Sequence, residues 1–440
     1  MLQLNNFKTA FDFYAKGEYR ESLQILHSNT ETASNSEALR LMACCYLYIG
    51  DTSNALAICD KAISLDPLKT NLYGLKLDIL RGLEQHHKIL EVANEIELLD
   101  DSLLDLPLIK ANSYKLLEKP VLEWKENSSY LTKRFPDHLQ RIKALQPYQV
   151  IKHVQFDQKY RLSNSLNFPS HVSFETFAKC NATCSFCVYP DMERIGQKMS
   201  DFLIEKIIND LTEIPKDYRF QLSPLGVNEP FLDKRIFSIL EKIENKLPNA
   251  DITITSNSIP LNQANIERLS SHKLNYLWLS VVDHRKEVYE EKMKLSYETM
   301  LSRLEAIHNA KLNKLLDTRI VVSRLIDNDI YDLEFKNFIN QRFPLFEVSL
   351  WPYATWLNST TNAATSEIND TPCFHWFGVR IDANGIVQHC CMDGHSEHPW
   401  GDVNKNSVLE IYNSEAYLSL RKNIFSRKDV APCNNCNLAG

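Results

Sequence analysis

Residues 173–187 read SFETFAKCNATCSFC, a short β-type run that leads into three cysteines at the spacing Cys180-x3-Cys184-x2-Cys187. Alternation from Ser173 to Phe177 predicts a strand, which puts the thiols on the loop at its end. Three thiolates on so short a loop can hold three irons of a 4Fe-4S cluster and leave the fourth iron without a protein ligand. A zinc site completed by a fourth ligand elsewhere is the alternative reading of the same triplet.

Downstream the texture repeats. Short β-rich runs at 220–225, 251–255, 276–281, 318–322 and 346–350 alternate with helical patterns that begin near Ser200, Lys234, Leu261, Tyr297 and Asp332. Regular alternation predicts parallel strands with right-handed crossovers, and six units predict an α/β fold, a partial (β/α)6 TIM-like barrel, over 171–355. Residues 1–137 differ: apolar and small residues recur at helical spacing, broken by turn signals at intervals in the thirties, which predicts an all-α domain of helical hairpins. Residues 138–170 read as a connector, and 356–440 as a small C-terminal lobe.

The chain has 440 residues, 44% of them hydrophobic, and a net charge of -7. That balance argues against a protein built around nucleic acid. Residues 1–21 acquire charge too early for a signal peptide, and no stretch approaches the ~18 apolar residues of a membrane span. A cytoplasmic location is expected, where the eleven cysteines are read as metal ligands before disulfides. Cys44, Cys45 and Cys59 fall on predicted helices and are expected to be small buried residues.

Two of these patterns resemble known families. The unit from Asn35 to Thr70 carries Ala43, Tyr46, Gly50, Ala55, Ala62 and Pro67 where a tetratricopeptide repeat places small, aromatic and turn residues. The triplet Cys180, Cys184, Cys187, with Phe186 before the last cysteine, is the motif of radical S-adenosylmethionine (SAM) enzymes. That resemblance implies a cluster whose open iron takes SAM and whose electron cleaves it to a 5'-deoxyadenosyl radical.

It also implies SAM contacts at strand ends. Gly226-Val227-Asn228-Glu229-Pro230 is similar to the family's Gly-Gly-Glu region, with Val227 and Asn228 where a second glycine is expected. Thr255-Ser256-Asn257-Ser258 looks like its Thr-Asn-Gly turn. Ser280-Val281-Val282-Asp283 resembles its Ser-x-Asp element with one residue added. Where the family often supplies an arginine, this chain offers Lys292 and Lys294. The expected contacts are therefore Gly226, Glu229, Ser256, Asn257, Ser280 and Lys294; polar residues that merely end strands are the alternative.

The remaining cysteines form a second group: Cys373, then Cys390 and Cys391 after the apparent hairpin turn Asp382-Ala383-Asn384-Gly385, then Cys433 and Cys436. With Trp400-Gly401-Asp402-Val403 and the segment from Val408 to Ser414, this resembles the SPASM and twitch extensions of radical SAM enzymes. A full SPASM lobe has seven cysteines, so the resemblance implies one auxiliary 4Fe-4S cluster on Cys373, Cys390, Cys433 and Cys436, with Cys391 as substitute for Cys390. A four-cysteine zinc site is the alternative. Asp393, or His389, is the candidate base for a proton leaving the substrate.

The function implied is hydrogen abstraction from a substrate, with an electron passed through the auxiliary cluster and an external donor such as flavodoxin or ferredoxin. A peptide or protein substrate leads, because tetratricopeptide surfaces often take peptides. Dehydrogenation of a small alcohol or amino sugar comes second. A different class, a non-enzymatic adaptor with structural metal sites, would hold zinc and not bind SAM.

Overall fold

The computed structural model describes residues 2–359 and 370–436. Its contacts divide the chain into two units, Met1–Val154 and Gln155–Gly440. The stretch 138–170, read from sequence as a connector, is helical over much of its length, and the division falls inside it.

The described residues of the first unit form helices α1 (Leu2–Ala15), α2 (Tyr19–Ser28), α3 (Ser36–Tyr48), α4 (Thr52–Leu65), α5 (Thr70–Gly82), α6 (His86–Leu99), α7 (Leu106–Leu116), α8 (Pro120–Arg134) and α9 (Leu139–Ala144); α10 (Pro147–Phe156) carries the chain onward. Successive helices pack as hairpins. The chain turns between α3 and α4 at Gly50, whose φ of +83° suits glycine, and Asp51 then caps α4 by accepting the Asn54 N–H. Fully buried Ala43, Ala55 and Cys59 let α3, α4 and α5 approach closely. Cys45 and Cys59 are buried, whereas Cys44 is only half-buried.

In the second unit the predicted alternation appears as β1 (His171–Phe174), α11 (Asp201–Asp210), β2 (Phe220–Ser223), α12 (Ile236–Lys246), β3 (Ala250–Ser256), α13 (Gln263–Leu269), β4 (Tyr276–Val282), α14 (Lys286–Met293), α15 (Tyr297–Leu312), β5 (Arg319–Leu325), α16 (Ile330–Arg342) and β6 (Phe346–Trp351). Strands β1 to β6 are all parallel and neighbour one another in chain order, the open six-stranded partial barrel that the sequence predicts. Val172, Phe174, Leu222, Ile252, Ile254, Leu277, Leu279 and Val322 share one core with the helices. Period-two alternation therefore turns Ser173, Ser223, Thr255, Trp278, Ser280 and Ser323 to the inner face.

The C-terminal lobe continues that sheet. Its strand β7 (Gly378–Ile381) runs parallel to β1, with Val172 opposite Val379, and is followed by antiparallel β8 (Ile386–Gln388) and β9 (Gly401–Asp402). The predicted turn joins β7 to β8: Asp382 accepts the N–H groups of Asn384 and Ile386 at 2.9 Å, and Gly385 has φ +91°. Helices α17 (Val408–Tyr412) and α18 (Glu415–Asn423) close the lobe; Arg421 lies 3.5 Å from the centre of the Tyr412 ring. No helix among the described residues is long and apolar enough to cross a membrane.

Candidate functional site

The Cys180–Cys187 loop leaves the carboxyl end of β1, where barrel chemistry gathers. Burial raises all three thiols, Cys180 to about 11, and the sulfurs raise one another: Cys187 and Cys180 act on Cys184, and Cys187 on Cys180. Three mutually opposed thiols are a donor set that releases its protons to bind metal. Helix α14 backs the loop, with Met293 sulfur 3.6 Å from Cys184 Sγ and the Ser185 N–H donating to Lys292.

Several expected contacts converge here. The Glu229 carboxylate is buried and accepts Ser256 Oγ at 2.9 Å and the Asn257 N–H at 2.7 Å; burial raises it to about 7. Asn257 in turn donates to Asn181 in the cysteine loop at 2.8 Å. Gly226 lies against Glu175, where a Cβ would meet the Glu175 Cβ at 2.4 Å. Ser280 lies at a register shift between β4 and β5. Lys294 is not brought to this group: it is the exposed, left-handed residue that ends α14. Lys292 faces the acids instead, 3.4 Å from Asp327 and 4.0 Å from Asp283.

The sequence reading missed Arg324. It is fully buried at the end of β5 and binds Asp283, Asp327 and Asp332 at 2.7 to 2.8 Å. Its signal was present, since Arg324 falls in step with apolar Ile320 and Val322 on the helix-facing side, where a cation needs partners.

Cys373, Cys390, Cys433 and Cys436 line one cavity together with Trp376 and Arg427. Burial raises Cys373 and Cys433 to about 12. Trp376 Nε1 donates to Cys433 Sγ at 3.3 Å, and His389 Nε2 lies 3.1 Å from the same sulfur. Cys391 does not line that cavity; its side chain hydrogen-bonds Cys390, and its Sγ lies 3.3 Å from His375 Nε2 in a second cavity that also holds His171, Ser173, Arg380 and Cys390. Among the described residues, no group of three or more His, Cys, Asp or Glu side chains is placed to hold a single metal ion.

Asp393 is engaged by the backbone. Its buried carboxylate accepts the N–H groups of His389, Glu397 and His398 at 2.9 to 3.2 Å, which fixes the loop after Cys391. His389 is spent on Cys433 and stacks on Trp400, with ring centres 5.2 Å apart.

The Radical SAM superfamily matches residues 174–334, and the SPASM family, an iron-sulfur cluster-binding domain, matches 373–437. The chain carries a radical SAM domain and a SPASM domain. Its cofactors are SAM and iron-sulfur clusters, as those two domains imply. Similar solved structures include BtrN in complex with AdoMet and 2-DOIA, at 15% identity and TM-score 0.44 over 61% of this chain and 93% of that one. Streptococcus suis SuiB bound to precursor peptide SuiA is 14% identical, TM-score 0.46, over 76% and 86% of the two chains. The anSMEcpe structure with bound AdoMet is 13% identical, TM-score 0.44, over 57% and 82%. No curated protein matches this chain.

Proposed function

We propose that this radical SAM protein is a cytoplasmic enzyme that oxidises a peptide or protein by hydrogen abstraction and passes the electron to its auxiliary site. The reading is carried by the four thiols of Cys373, Cys390, Cys433 and Cys436 around one cavity, because a cluster ligated wholly by protein exchanges electrons and has no open iron for substrate. SAM bound at the Cys180–Cys187 site would supply the hydrogen-atom acceptor, and the substrate would then give up an electron to the auxiliary site and a proton to solvent.

The chain's own residues set the geometry. Cys180, Cys184 and Cys187 would hold the first cluster, and Asn257 ties their loop to Glu229, which also accepts from Ser256. Gly226 keeps the β2 turn close enough for backbone approach, as its contact with Glu175 requires. The helical hairpins of residues 1–137 offer the peptide a docking surface, and flavodoxin or ferredoxin supplies the reducing electron.

Dehydrogenation of a small alcohol or amino sugar is the second reading. It is favoured by the hydroxyls of the inner face, where Ser223 Oγ and Thr253 Oγ1 lie 2.5 Å apart, and by Trp278 and Trp351, whose ring centres are 5.7 Å apart. Such a surface suits a ring with hydroxyl edges and C–H faces.

Anaerobic iron and sulfide quantification, with detection of 5'-deoxyadenosine after adding dithionite and SAM, tests the proposal. About eight irons and deoxyadenosine support it; zinc and no cleavage would favour the adaptor.

A further inference from the structure

We propose that the inner face of the sheet carries an oxyanion-binding site centred on Arg380, and that the substrate presents a carboxylate or phosphate to it. The inference rests on the enzymatic reading above and names a chemical requirement of its substrate.

Strands β1 and β7 pair in register, which sets Ser173 beside Arg380 and His171 beside Gly378. Val172, Phe174, Val379 and Ile381 pack into the core on the opposite side. Ser173 and Arg380 therefore project to the inner face, into the cavity shared with His171, His375, Cys390 and Cys391. No acidic residue lines that cavity.

Several buried arginines of this unit have side-chain or carbonyl partners. Arg194 binds Glu175 and the Gly394 carbonyl, Arg324 binds three aspartates, and Arg421 binds the Tyr412 and Leu166 carbonyls. Among the described residues no carboxylate pairs with Arg380, and its Nε, like Arg194 Nη2 and Arg421 Nε, is buried without a hydrogen-bond partner; only Arg380 of these three lines the cavity beside the cysteines. A guanidinium carries five donors in a fixed fork, and a buried donor left unsatisfied costs free energy. The ligand that matches that fork is a planar carboxylate or a phosphate, bound through two oxygens.

Position adds to the argument. The Arg380 charge reaches Cys187 of the first cysteine loop, while the cavity wall includes Cys390 of the second set. An anionic group anchored here would hold its molecule between the centre that starts the reaction and the one that receives the electron. The imidazole beside it is fixed: Ser170 Oγ lies 3.1 Å from His171 Nδ1, and a Cβ on residue 378 would fall 1.9 Å from His171 Nε2, so only glycine leaves it room.

The test uses reconstituted full-length protein titrated in separate arms with inorganic phosphate, followed by 31P line width, and with carboxyl-13C acetate, followed by 13C line width. Saturable binding of one or both anions is expected, weakened about tenfold or more in Arg380→Gln and less in Arg380→Lys, which retains a charge if the glutamine variant folds poorly. The arm that saturates distinguishes phosphate from carboxylate. Absence of saturable binding in both arms, or equal binding in wild type and the Arg380 variants, overturns the site. So does a changed cluster potential in Arg380→Gln with unchanged anion binding, since Arg380 would then be a counter-ion to the clusters alone. Anion binding does not require SAM cleavage, so deoxyadenosine and iron measured on the same sample judge the enzymatic reading separately.

Discussion

Asp283 Oδ2 accepts from Arg324 Nη1 at 2.7 Å, and both side chains are wholly buried, one just beyond β4 and the other on β5. The pair links two adjacent strands at the carboxyl end of the barrel and, through Asp332, secures α16 as well.

Removing Arg324 leaves Asp283 with Arg285 and takes a partner from Asp332, so Arg324→Met should cost roughly 1.5–3 kcal/mol, read by chemical denaturation. Burial pushes the Asp283 carboxyl up, but hydrogen bonds from Arg285 and the Arg324 charge outweigh it and hold it well below the usual carboxylate range. With the folded value depressed, this stabilisation is complete above the unfolded value near ~3.9 and is lost as pH falls further. Wild-type stability should therefore decline below about pH 4, and Asp283→Asn should flatten that decline while lowering stability at pH 7.

The two adjacent thiols should separate cleanly. Cys390 lines the four-cysteine cavity and Cys391 turns to His375, so Cys390→Ala should lose about four irons and Cys391→Ala should keep them. Iron analysis and the spectrum of the reduced protein decide; the reverse result would exchange the two assignments.

Cluster roles can be divided by cleavage. Cys184→Ala should abolish deoxyadenosine formation, whereas Cys433→Ala should retain some uncoupled cleavage without product. Equal loss in two folded variants would contradict the division.

Gly226→Ala places a methyl 2.4 Å from Glu175 Cβ. Glu175 accepts from Arg194, Val227 and Ala383, so its displacement should disturb β2, the segment after the cysteine loop and the C-terminal lobe together. A loss of about 1–3 kcal/mol is expected, measured by thermal or denaturant unfolding.

The barrel was legible because each of its strands alternates and each crossover has a helical period. The four auxiliary cysteines were legible because their spacing resembles a known lobe. Helix α14 escaped notice because, of its eight residues, only Tyr289 and Met293 are buried, too few to mark an apolar face. Lys294 was chosen over Lys292 because sequence does not reveal that the helix ends in a left-handed turn. Asp393 looked like a free acid because the backbone donors that occupy it come from a loop closure several residues long. Arg380 was overlooked because its meaning depends on β7 lying beside β1, a pairing between residues more than two hundred positions apart.

That pairing also limits how the protein can be cut. A fragment ending at 355 would strip β7 from β1 and lose the bonds from the Ser170 and Glu175 N–H groups to the Phe377 and Ile381 carbonyls. It would expose a raw strand edge next to the first cysteine loop, a template for self-association. Deleting the lobe should therefore yield an aggregating fragment in place of a simplified enzyme, and engineering that exchanges lobes between relatives must carry β1 and its loop along with the transplanted strand.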